Sequence, residues 1–269
     1  MAQIQSTPPL QPALFVPHGA PTFALRPGAA GAALSAMAQS LALPRAIVIV
    51  SAHWDTAVPT VGFAERPETI HDFWGFPDEL YEIRYPATGC REASEEVVSA
   101  LKSAGLPLAT DAGRGLDHGA WVPLRLIFPD ADVPVIPLSI QSRGGPEEAY
   151  KLGRALAPLR KQGVLIIGSG SMTHNLYEFR QGSAQPQAYA QEFAAWVRAA
   201  VAANARTPLI NYRTEAPHAV RAHPTEEHFL PLLVALGAQQ EGDALQVLDG
   251  GGILHGMLSM ESYVWGIPQ

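Results

Sequence analysis

Ala46-Ile47-Val48-Ile49-Val50-Ser51-Ala52-His53-Trp54-Asp55 opens with an unbroken apolar run rich in β-branched residues and ends on polar ones. Without polar alternation, such a run reads as a strand buried on both faces, as in a parallel sheet covered by helices. Similar short runs recur at Ala13–Val16, Thr60–Phe63, Val133–Leu138 and Val164–Ile167, with weaker ones at Ala244–Leu248 and Ser259–Trp265. Between them lie Ala- and Leu-rich stretches of helical character: Gly31–Leu41, Glu92–Ala104, Pro146–Leu159, Gln187–Ala203 and Glu226–Leu236. Alternation of this kind predicts an α/β fold with a central, mostly parallel sheet flanked by helices. The 24 Gly and 24 Pro are spread through the connections, and no composition break or repeat divides the chain. Residues 1–269 read as a single domain.

Composition narrows the function. The chain has 269 residues, a formal charge of −7, 47% hydrophobic and 16% charged residues. That much apolar material excludes a disordered chain. The acidic surplus speaks against a nucleic-acid binder, which needs clustered Lys and Arg to neutralise phosphates. Nine histidines stand against one cysteine, Cys90. An intramolecular disulfide and a Cys-based zinc or iron–sulfur site are therefore excluded, so imidazole and carboxylate must hold any metal. Met1–Pro12 lacks the basic start and apolar run of a signal peptide. No apolar stretch reaches the ~18 residues that span a bilayer. The expectation is a soluble, cytoplasmic protein with no membrane partner.

The histidines fall at telling places. His18 follows the first strand in ALFVPHG, His53 follows the second in IVIVSAHWD, and His174 lies beyond the end of VLIIGSGSMTH. Ligand crevices of open α/β sheets form at the carboxyl ends of parallel strands, so three such placements predict that these imidazoles converge. Two more lie in AHPTEEHFLP. Thr225 is expected to cap a helix carrying His228 in its first turn, where the helix dipole keeps imidazole neutral and able to bind metal. His223, just before that helix, is better placed for substrate. His118, in GLDHGAW, is read as a loop residue with Asp117 beside it as an orienting partner. His71 is open to either a substrate or a solvent role, and His218 and His255 read as ordinary surface or structural residues. The segment Glu65–Gly89, rich in aromatics and without clean periodicity, reads as a long connection of the kind that forms a binding loop, or as one packed over the core edge.

Other chemistries fit less well. Gly168-Ser169-Gly170-Ser171 lacks the G-x-S-x-G spacing of a nucleophile elbow, and no dinucleotide or Walker motif accompanies it. Its simpler use is to bring backbone close to a crowded site. No H-E-x-x-H pattern is present. A mononuclear, nitrogen-rich site remains, and imidazole alone does not choose among Zn, Cu, Fe and Ni.

VPHGAP at Val16–Pro21, SAHWD at Ser51–Asp55, HDFWGFPDELYEIRYPATG at His71–Gly89, DHGAWVPL at Asp117–Leu124, GSGSMTHNL at Gly168–Leu176 and HPTEEHFLPLL at His223–Leu233 together resemble one family. It is that of the class III extradiol ring-cleavage dioxygenases, specifically the DODA (4,5-DOPA dioxygenase extradiol) family, and the resemblance covers nearly the whole chain. It implies a fold similar to the catalytic subunit of protocatechuate 4,5-dioxygenase, a mononuclear non-haem divalent metal, and O2-dependent cleavage of a catechol ring to a muconic semialdehyde. By position it implies His18, His53 and His228 as metal ligands, with His174 as an acid/base able to become a fourth ligand. It places His118 and His223 on the substrate side. Glu227 stays open as an alternative third ligand, since the wider class uses two histidines and a carboxylate. Fe(II) is the expected active metal, and Zn(II), which has no redox chemistry, fits the same ligands. The competing expectations are a zinc-dependent hydrolase and a non-catalytic, Memo-like interaction protein.

Overall fold

The computed structural model describes residues 8–180, 183 and 185–267, so Met1–Thr7 of the polar N-terminal stretch lies outside the described residues. The strands are β1 Ala13–Pro17, β2 Ala46–Asp55, β3 Thr60–Gly62, β4 Ala109–Asp111, β5 Val135–Ile140, β6 Val164–Gly170, β7 Leu245–Leu248, β8 Ile253–Leu254, β9 Leu258–Ser259 and β10 Ser262–Trp265. Eight of them make one sheet in the order β4-β3-β5-β2-β6-β1-β10-β7, while β8 and β9 pair apart from it. The four central strands β5, β2, β6 and β1 are parallel, as the apolar runs predict, and β1, β5 and β6 are buried along their whole length. The flanks depart from that pattern. β3 runs antiparallel to β5, and β10 runs antiparallel to both β1 and β7.

The helices are α1 Gly28–Ala38, α2 Glu79–Glu82, α3 Arg91–Ser103, α4 His118–Ile127, α5 Gly145–Leu156, α6 Ala188–Ala202, α7 Arg206–Ile210, α8 Tyr212–Glu215, α9 Ala219–Ala222 and α10 Leu230–Gly237. Side chains alternate across a strand, and β6 shows what this arranges. A Cβ on Gly168 or Gly170 would lie 2.0 Å from the Pro231 carbonyl oxygen or 2.2 Å from that of His228, so this face of β6 is pressed against the entry to α10. Ser169, between them, points the other way and donates its hydroxyl to the Gly119 carbonyl of α4. The glycine-rich stretch thus brings backbone close, as expected, but to the His228–Pro231 segment.

Three local expectations change. The expected helix Glu226–Leu236 begins only at Leu230, with Pro231 in its first turn; proline has no N–H to give and pre-sets the helical φ, so it starts helices rather than continuing them. Thr225 therefore caps nothing, and its hydroxyl bonds to Glu227 instead. His118 is no loop residue. It is the first residue of α4, which Asp117 caps by accepting from the Ala120 amide. His53 lies inside β2, not after it, in a stretch where the register against β5 shifts between Ser51 and Asp55. Such a bulge lets a strand re-aim a side chain.

Candidate metal centre and substrate cavity

The carboxyl ends of β1, β2 and β6 meet beside the starts of α4 and α10, and the histidines collect there. The rings of His18 and His53 are 4.8 Å apart between centroids, His18 and His228 5.3 Å, and His53 and His228 5.0 Å. His118 joins them at 4.1 Å from His53, and His174 stacks flat on His228 at 3.5 Å. The nitrogens of His18, His53 and His118 lie within 4.8 Å of one another, as do the donor atoms of His174, Glu227 and His228. The sequence-predicted ligands therefore straddle two contiguous clusters.

Hydrogen bonds fix which nitrogen of His18 and His228 faces inward, and contacts with Asp72 set the nearer nitrogens of His53 and His118. The Ser169 hydroxyl spends its only proton on Gly119, so at 3.1 Å it accepts from His18 Nδ1. Glu227 Oε1, 3.0 Å from His228 Nδ1, also accepts a proton. Asp72 Oδ2 lies 3.0 Å from His118 Nδ1 and 3.5 Å from His53 Nδ1. A neutral imidazole that donates through Nδ1 keeps a bare lone pair on Nε2. His18 and His53 turn those Nε2 atoms toward each other at 3.1 Å, and His228 Nε2 is buried with no hydrogen-bond partner. Lone pairs held face to face in a dry site call for a cation between them. This set fits a divalent metal.

Electrostatics agree. Burial, helped by the neighbouring imidazoles, holds His18 and His228 well below the ordinary imidazole value. Burial brings His53 to about 4, with His118 pushing the same way against Asp117 and Asp72. His174 is brought to about 3, again chiefly by burial. Burial works to raise Asp72, yet its bonds from His118 and the charges of His118 and His53 hold it at about 2. The centre thus holds neutral imidazoles, with the carboxyl groups of Asp72 and Glu227 against their outer nitrogens.

Asp72 is the residue of this centre that sequence reasoning missed. It sits in the aromatic loop and also accepts from the His118 backbone amide at 2.8 Å. That loop is pinned down: Trp121 Nε1 donates to the Ile70 carbonyl, Tyr85 OH to that of Phe128, and His71 Nε2 lies 3.1 Å from that of Ile83. From it Asp72, Phe73, Trp74 and Phe76 form one wall of a cavity of about 370 Å³, with His18, His53, His118, His174 and His228 also facing it. Both readings of the loop are therefore correct, since it packs over the core edge and shapes the cavity. His223 is placed differently from expectation. It is fully buried behind the cavity among Phe193, Tyr212 and Phe229, with Nε2 donating to the Met172 carbonyl at 2.8 Å. Glu226 also turns away, accepting from Tyr212 OH. His218 pairs with Glu192, and His255 lies against Phe179 at 4.7 Å.

An apolar cavity ending on inward-facing imidazoles above a parallel sheet belongs to a class of metal-dependent enzymes that act on small aromatic molecules. Residues 30–249 match the family described as the catalytic LigB subunit of aromatic ring-opening dioxygenase. The chain belongs to that family and is a class III extradiol dioxygenase similar to the DODA enzymes. The 4,5-DOPA dioxygenase extradiol of Beta vulgaris is 42% identical over 224 residues, covering 81% of this chain and 84% of that protein. The protein of the same name from Escherichia coli K12 is 38% identical over 255 residues, 93% of each. The crystal structure of an uncharacterized Escherichia coli K12 protein matches the fold with a TM-score of 0.78 at 32% identity, over 95% of this chain and all of that one. The enzyme opens catechol rings in extradiol fashion, and neither the hydrolase nor the interaction-protein expectation is favoured. No helix among the described residues is long and apolar enough to cross a membrane.

Proposed function

We propose that His18, His53 and His228 hold a single Fe(II) and that a catechol of the DOPA type, bearing one side chain on the ring, is cleaved beside it in the cytoplasm. The observation that carries this reading is the buried, partnerless Nε2 of His228 opposite the paired Nε2 atoms of His18 and His53. Glu227 is engaged by His228 Nδ1 and Thr225, which suits a residue that orients a ligand better than one that ligates. Bound Fe(II) supplies the redox chemistry that joins a catecholate to O2, and Zn(II) in the same ligands does not.

The protein's own groups perform the rest. The His174 ring has no hydrogen-bond partner among the described residues and lines the cavity, so as a neutral imidazole it takes a phenolic proton and returns it to the ring-opened product. His118, whose amide donates to Asp72 and whose Nδ1 lies 3.0 Å from that carboxylate, presents its other nitrogen to the substrate oxygens. Phe73, Phe76 and Phe179 clamp the ring and keep bulk water out. Anaerobic reconstitution with Fe(II), followed by oxygen uptake with a panel of catechols, tests the proposal. Uptake with formation of a yellow semialdehyde is expected, and no uptake with any catechol would overturn it.

A further inference from the structure

The charges around the cavity say more than the family does. Among the described residues its wall carries one acidic side chain, Asp72, which lies 3.0 Å from His118 Nδ1 and accepts from the His118 amide at 2.8 Å. No Lys or Arg lines the cavity, and the residues outside the described set include none. The exposed part of the wall is Trp74, 86% exposed, with Leu176, and the half-buried rings of Phe76 and Phe179 and the buried ring of Phe73 line it further in. Aromatic faces attract an ammonium group and offer nothing to a carboxylate. Arg26 lines a separate groove that shares Gly19, Ala20 and Leu258 with the cavity.

Resting on the ring-cleavage reading, we infer that this site selects catechols by side-chain charge, favouring an ammonium-bearing side chain and rejecting one whose only charge is a carboxylate. A catecholate dianion balances a divalent ion held by neutral imidazoles, and Asp72 then leaves the filled site negative. An ammonium side chain cancels that excess between Asp72 and the Trp74 face. A carboxylate doubles it, with no Lys or Arg in the cavity wall to pair it, and a buried or half-buried charge without a partner is rejected strongly.

The test uses zinc-loaded protein, in which binding is read without turnover, and three probes that share one ring: dopamine, 4-ethylcatechol and dihydrocaffeate. Calorimetry is expected to rank them in that order, with about tenfold or more between the amine and the acid. Trp74→Ala is exposed enough to leave the fold intact, and it is expected to shrink the gap by weakening the amine. Arg26→Ala is expected to leave the order unchanged. Equal or tighter binding of dihydrocaffeate overturns the inference, and loss of that binding in Arg26→Ala would place the carboxylate in the neighbouring groove. Oxygen uptake by the Fe(II) form separates the two readings. The predicted ranking without cleavage of any probe would sink ring cleavage alone, cleavage without the ranking would sink the charge preference alone, and no binding of any probe would sink both.

Discussion

His174 and Glu227 occupy neighbouring positions around His228 but are set up for different work. His174 stacks on the His228 ring and keeps its ring nitrogens free, and burial holds its pKa to about 3, so at ordinary pH it is neutral with a lone pair available. His174→Ala is expected to lower kcat by about 10²–10⁴-fold while metal content by elemental analysis stays near one per chain. Full activity in that variant would remove His174 from proton transfer. Glu227, in contrast, accepts from His228 Nδ1. Replacing that carboxylate by an amide weakens the hydrogen bond without moving the ring. Glu227→Gln should therefore weaken zinc binding by about 10–100-fold in a chelator competition. An unchanged affinity would mean that the bond orients nothing.

At the scale of elements, β6 does more than carry its own sequence, because its glycines let the His228 segment come within touching distance. Gly170→Ala would press a methyl group into the His228 carbonyl, displacing the turn that carries His228. A loss of about 1–3 kcal/mol in urea unfolding is expected, together with weaker metal retention. Wild-type stability and metal content would show that the turn can yield. These elements were unevenly legible in the sequence. The central strands announced themselves because burial on both faces leaves an apolar run, and His18 and His174 could be placed by following such runs to their ends. Asp72 could not. Its partner His118 lies 46 residues away, and only the path of the pinned loop brings the two together. His223 reads like its neighbour His228 in sequence, yet the end of α9 turns it into an aromatic box instead of the cavity. The start of α10 was misplaced because Glu226 and Glu227 have good helical character, while their side chains are spent on Tyr212 and His228.

Across the whole molecule the buried imidazoles make stability depend on pH. In metal-free protein His53 and His223 are held to about 4 and His174 to about 3, in each case chiefly by burial, against ~6.5 in an unfolded chain. Between those values the unfolded chain takes up protons that the folded one refuses. The stabilisation is therefore fully present above pH ~6.5 and is lost as the pH falls toward 4. The urea midpoint of chelator-treated protein is expected to drop steadily over that range, and a flat profile would contradict the burial of these rings. Zinc should raise the midpoint more at neutral pH than in mild acid, because protons compete for the same lone pairs.

The cavity is bounded below by the ends of β1, β2 and β6 and on one side by a loop carrying Trp74 in the open. These parts open to solvent on very different terms. Amides of Ile47–Val50 and Leu165–Ile167, fully buried in the middle of the sheet, are protected by the cooperativity of the entire fold. Those around Trp74 and Gly75 are exposed and paired with little. Hydrogen exchange should accordingly separate the two by many orders of magnitude in rate, with the slow set reporting global unfolding and the fast set local breathing. Small molecules are then expected to enter and leave through the fast-exchanging side, while the floor beneath the histidines stays shut.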